Sequence, residues 1–229
     1  MKIGILQCDD AGGRVLRRHG TSSDMFQALL AGRGLTFDTF DVVNMVFPDS
    51  IHDCDGWLLT GSRFDAYSNE PFVLQLGDFV RAAYAAAVPM VGICFGHQII
   101  AHALGGHVEK FDGGRAIGRQ TYQFDDLGEI HANALHQDQV IIAPKEARRV
   151  GTSSFCKNAA LVYGTKALTM QPHPEFSNEI IASYLEALRG RPGYGDALMD
   201  AADAQLQHPI DADRIADQIA AFFALSRAR

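Results

Sequence analysis

Val91 Gly92 Ile93 Cys94 Phe95 Gly96 His97 Gln98 sets a cysteine between two glycines, at the point where an apolar run gives way to a helical pattern. That layout suits a nucleophile elbow, in which a sharp strand-to-helix turn holds the side chain away from the backbone at a helix N-terminus. Amide donors and the helix dipole there favour a thiolate and, later, an oxyanion. The same residues would also suit a tight turn around a buried thiol, since free cysteines are among the most buried side chains. Downstream, Gln171 Pro172 His173 Pro174 Glu175 Phe176 supplies what a thiol nucleophile needs. Each proline keeps the residue before it extended, and in extended chain residues two apart share a face. His173 and Glu175 therefore project together, a base with its orienting carboxylate. Taken without Cys94, the segment would be a proline-stiffened surface turn.

Something must bring these segments together, and the rest of the chain has the pattern for it. Ile3 to Leu6, Gly56 to Leu59 and Val88 to Ile93 are short continuous apolar runs, as in parallel strands buried on both faces. Between them Phe72, Val73, Leu76, Phe79, Val80 and Ala83 keep the spacing of one helix face, with Pro71 suited to the first turn. Alternation of this kind predicts an α/β fold, a doubly wound, mostly parallel open sheet flanked by helices. Sites on such sheets lie beyond the carboxyl ends of strands, where Gly61 and Cys94 both fall. After residue 105 the segments Tyr122 to Phe124, Val140 to Ala143, Leu161 to Tyr163 and Leu168 to Met170 predict antiparallel additions. A helix after His173, capped by Ser177 and ended by Gly190, closes a first domain over residues 1–190. Residues 191–229 then form a C-terminal helical extension packed on it, with apolar positions at Leu198, Met199, Ala202, Ile215, Ile219 and Phe223.

The cysteine and histidine segments resemble the class I glutamine amidotransferases, which use Cys, His and Glu in this chain order. The resemblance covers about residues 2–190 and is nearest to the stand-alone GMP-synthase-like members. It rests on Gly92, Cys94, Gly96, His97 and Gln98, and on His173, Pro174 and Glu175. Leu58 Leu59 Thr60 Gly61 Ser62 falls where the family closes its oxyanion hole with Gly-Gly-Pro, from which Thr60 and Ser62 depart. Leu135 His136 Gln137 Asp138 looks like the substrate-side loop, although His136 and Asp138 would equally cap a surface turn. The resemblance implies a flavodoxin-like fold. It also implies that Cys94, His173 and Glu175 are catalytic, that the Gly61 and Phe95 amides form the oxyanion hole, and that Gln98, His136, Gln137 and Asp138 bind substrate.

The expected reaction is attack of Cys94 on the γ-carbonyl of glutamine or a γ-glutamyl compound, giving a γ-glutamyl thioester that water cleaves to glutamate. Three readings remain open at this point: a self-sufficient γ-glutamyl hydrolase, a glutaminase subunit serving a separate synthetase, and a non-catalytic binding or regulatory protein on the same fold. The 229-residue chain holds no Gly-x-x-x-x-Gly-Lys-Ser/Thr loop and has no room for a nucleotide-binding domain. A net charge of −7 with no basic run argues against nucleic-acid partners and anionic membrane surfaces. No apolar run reaches the length of a membrane span, and the start is too short and too polar for a signal peptide. Cys8, Cys54, Cys94 and Cys156 lack zinc or redox spacing, and the three other than Cys94 are expected to be reduced core residues of a cytoplasmic protein. His97, His102 and His107 stand five apart, which rotates them around a helix and builds no metal face. Neither a metal nor another cofactor is expected, and nothing in the sequence fixes the oligomeric state.

Overall fold

A computed structural model describes residues 1–9 and 14–227. The first apolar run becomes β1 (Lys2–Gln7), followed by α1 (Arg14–His19), α2 (Ser22–Leu29) and β2 (Thr36–Asp41). The alternation continues with β3 (Gly56–Leu59), α3 (Pro71–Ala85), β4 (Met90–Ile93) and α4 (Phe95–Ala103). Next come β5 (His107–Lys110), β6 (Ala116–Phe124), β7 (Gly128–His136), β8 (Asp138–Ile142), β9 (Arg148–Thr152), β10 (Ala160–Tyr163) and β11 (Ala167–Met170). Helices α5 (Asn178–Leu188), α6 (Asp196–Asp203) and α7 (Ala212–Arg227) follow.

Nine of these strands form one sheet in the order β2-β1-β3-β4-β11-β10-β9-β6-β7. The first five are parallel and repeat the flavodoxin-type order, with the fifth place taken by β11. The remaining strands are antiparallel, as the sequence predicts for Tyr122 to Phe124 and Leu161 to Tyr163. Leu168 to Met170 differs from that expectation. The short turn after Tyr163 makes β11 antiparallel to β10, and this same direction makes it parallel to β4 on its other side. Its four residues are all buried, as befits a strand enclosed by two neighbours. Val140 to Ala143 differs as well: the chain leaves the large sheet after β7, and β8 pairs with β5 in a separate two-stranded sheet.

Successive side chains of β3 serve two cores. Trp57 and Leu59 face the layer of α3 and α4, with Phe79 edge-on to the Trp57 ring at 5.0 Å, while Leu58 faces the layer of α2 and α7. Pro71 begins α3, and Ser177 caps α5 by accepting from the Ile180 amide. Of the last two helices, α7 joins the second of these cores and α6 builds a third. Ile215, Ile219 and Phe223 pack with Leu58 and Val91, and Met199 and Ala202 pack with Ile117, Ile180 and Ile181. Phe223 is fully buried beside Gly56, where a Cβ would stand 3.0 Å from its ring.

Candidate active site

Cys94 is the N-cap residue of α4 and has φ 52 and ψ −102, in the region that non-glycine residues avoid. A backbone of this kind costs about 1–3 kcal/mol and persists only where its surroundings enforce it. Here they do. The Cys94 amide donates to Met170 of β11 at 2.9 Å, and the Gly96 amide donates to Thr60 at the end of β3 at 3.1 Å. A Cβ on Gly92 would stand 2.5 Å from the Gly96 carbonyl oxygen, and one on Gly96 would stand 2.3 Å from that of Leu59. Both flanking glycines are therefore required by close backbone approach, which is the physical content of the Gly-x-Cys-x-Gly pattern. As the first residue of α4, Phe95 has an amide with no acceptor inside the helix.

The pairing of β11 with β4 carries His173 to the elbow. Met170 lies opposite Ile93, so the segment leaving β11 passes directly beside Cys94. The His173 amide donates to Asn133 of β7 at 2.8 Å, and the Asn133 side chain donates to the Phe176 carbonyl at 2.8 Å. His173 stacks on Phe176 with ring centroids 4.1 Å apart, while Cε1 presses on Gly61, where a Cβ would stand 2.6 Å away. Its Nδ1 meets Glu175 Oε1 at 2.6 Å, which leaves Nε2 for the hydrogen bond with Cys94. Relative exposure is 5% for Cys94, 4% for His173 and 6% for Glu175. Burial by itself would lower the His173 pKa, but the charges of Glu175 and Cys94 outweigh it and raise the value to about 10. The imidazole is thus cationic at neutral pH, between a carboxylate and a sulfur.

These residues open on a cavity of about 680 Å³ that is also lined by Gly61, Gln98, His136, Gln137 and Asp138. Gln98 spends its amide hydrogens on the Asp138 carbonyl at 2.9 Å and on Gln171 at 3.2 Å, which leaves its side-chain oxygen as an acceptor. His136 is buried, and desolvation lowers its pKa to about 4; Nδ1 lies 3.2 Å from the Asp138 carbonyl oxygen, so it is the donor there. Gln137 donates to the Phe111 carbonyl, and Asp138 shares hydrogen bonds with Tyr67 and Asp65. Burial first, and then the Asp65 charge, raise the Asp138 pKa. His97 points away from this chemistry, with Nδ1 2.8 Å from Thr169 beneath the turn. Sequence reasoning missed Asp65, Lys110, Arg115, Tyr184, Arg191 and Tyr194, which are among the other residues lining the cavity. Asp65, Lys110, Arg115 and Tyr184 come from two loops, a strand end and a helix, and Arg191 and Tyr194 from one turn after α5, so only that last pair is close along the chain.

Comparison with known proteins identifies the family. The family description "Glutamine amidotransferase class-I" matches residues 35–186. A glutamine amidotransferase-like protein of Schizosaccharomyces pombe is 26% identical over 96% of this chain and 97% of its own length. Gamma-glutamyl peptidase 2 of Arabidopsis thaliana is 26% identical over 81% of this chain and 80% of its own. A glutamine-hydrolysing GMP synthase subunit from Methanococcoides burtonii is 29% identical, over 64% of this chain and 78% of its own. Among solved structures, a glutamine amidotransferase of Methylobacillus flagellatus superimposes with a TM-score of 0.76 at 21% identity, covering 98% of this chain and 94% of that one, which speaks for the fold. The chain belongs to the class I glutamine amidotransferase family.

Proposed function

We propose that the protein hydrolyses γ-glutamyl amides through a thioester on Cys94. The observation that carries this reading is the contact series from Cys94 through His173 to Glu175, buried at one end of an open cavity. In the first half-reaction His173 holds the proton of the Cys94 thiol, the thiolate sulfur bonds to the γ-carbonyl carbon, and negative charge develops on the carbonyl oxygen. The Phe95 and Gly61 amides receive that charge, each donor being worth about 3 kcal/mol of barrier. The C–N bond then breaks as His173 gives its proton to the departing nitrogen, which leaves as ammonia or an amine. In the second half-reaction His173 takes a proton from water, the hydroxide adds to the thioester, and glutamate departs as the C–S bond breaks. Glu175 holds the imidazole in place and stabilises its cationic form throughout. Asp138 and Asp65 supply negative charge for the substrate ammonium, while Gln98, His136 and Gln137 shape the same wall.

A peptidase among the relatives favours γ-glutamyl compounds larger than glutamine as substrates. The relative from a GMP synthase supports a second reading, in which ammonia passes to a separate synthetase. Glutamate release from the isolated protein separates the two. Rapid cleavage of a γ-glutamyl dipeptide with no added protein is the expected result. Inactivity toward dipeptides, together with glutaminase activity that rises on adding a synthetase, would favour the ammonia-delivering role instead.

A further inference from the structure

We infer that the cavity holds a second subsite, built on Arg115 with Tyr194 and Arg191, for a carboxylate carried by the leaving group; this rests on the γ-glutamyl hydrolase reading. The cavity volume of about 680 Å³ is in the range that holds drug-sized ligands rather than a free amino acid, so room remains once a γ-glutamyl moiety is seated. Charge says what fills it. The chain carries seven excess negative charges, yet Arg115 and Arg191 line the cavity with no carboxylate partner among the described residues. Lys110, by contrast, sits opposite Asp138 in the ladder of β5 and β8, close enough for its charge to act on that carboxylate.

Arg115 is also held in place. Its guanidinium lies over the Tyr194 ring at 4.8 Å, and Nη1 reaches the Tyr194 hydroxyl at 3.4 Å. Gly193 has φ 84, and a Cβ there would stand 3.0 Å from Arg115 Nε, so the guanidinium rests on bare backbone. Arg115 directly precedes Ala116, whose ladder partner is His136, and this places it beside the Gln137 loop. A planar guanidinium already stacked on one face keeps its edge for a planar, bidentate anion, and a carboxylate fits that fork. Amino acids and peptides joined through nitrogen to a γ-glutamyl group carry such a carboxylate; simple amines and ammonia do not.

The test compares γ-glutamylalanine with γ-glutamylalaninamide, which differ only in that charge. For the wild-type protein kcat/KM should favour the acid by at least about tenfold, as expected of a charge-assisted hydrogen bond. Arg115→Ala should bring the ratio close to one, and Arg115→Lys should restore part of it. A wild-type ratio near one, or an Arg115→Ala protein in which both substrates slow by the same factor, would overturn the subsite while the hydrolase reading stands. Failure of the wild-type protein to cleave either compound would remove the hydrolase reading and the subsite with it.

Discussion

Cys94 combines a strained backbone with the side chain proposed as nucleophile, and the two can be separated experimentally. Cys94→Ala should lower turnover at least about 10⁴-fold, the order found when a covalent nucleophile is removed, with circular dichroism unchanged. It leaves the Cβ at φ 52. Cys94→Gly removes that conflict as well, so it should be more stable than Cys94→Ala by about 1 kcal/mol, read as a melting temperature higher by about 2–4 °C. His173 gives a prediction in pH. Glu175 and Cys94 hold its proton until pH rises through about 10, so turnover that needs the imidazolium should fall only on the far alkaline side. Glu175→Gln removes one of the charges that retain the proton, and the alkaline limb of the kcat/KM profile should move down by about 1–3 pH units. A limb that stays in place would mean that His173 is not the acid being titrated.

Local elements explain why part of the site could be read from sequence. Glycines two before and two after a cysteine signal close backbone approach at an elbow, here of Gly92 to Gly96 within the turn and of Gly96 to Leu59 of β3, and prolines bracketing a histidine signal an extended segment. Both signals are short-range, but only the first acts as expected: the chain turns after His173, with the Phe176 amide donating to the His173 carbonyl at 3.3 Å, and this turn, rather than an extended segment, brings Glu175 to the imidazole. Asp65, Arg115 and Tyr194 converge only after the sheet is assembled, and no spacing along the chain records that. Strand positions followed the same division: continuous apolar runs marked β1, β3 and β4, whereas the edge strand β2, with its half-polar TFDTFD, has no such mark. The direction of β11 depended on its neighbours on both sides, which its own four residues cannot specify. Gly61 tests how closely the end of β3 is fitted to the histidine. Gly61→Ala would place a Cβ 2.6 Å from His173 Cε1. The expected outcome is a loss of about 100-fold in kcat with secondary structure retained, because a misplaced base costs rate before it costs fold.

Across the molecule, the sheet and its two helical layers form a single packing problem, and the last helix takes part in it. Phe223 is fully buried with Leu58 and Val91, so Phe223→Ala should destabilise the protein by about 3–5 kcal/mol in chemical denaturation. If residues 191–229 were a detachable appendage, the cost would be far smaller. The sequence showed the apolar face of this segment but not what would cover it; the structure also shows Arg191 and Tyr194 on the cavity wall. The parallel pairing of β4 with β11 has a consequence during synthesis. A ribosome completes the elbow well before it makes the strand that delivers the histidine, and it makes the Phe223 helix later still. On the proposed mechanism, a nascent chain therefore displays the thiol before its base and orienting carboxylate exist, and no hydrolysis can begin until the segment through Glu175 has been made.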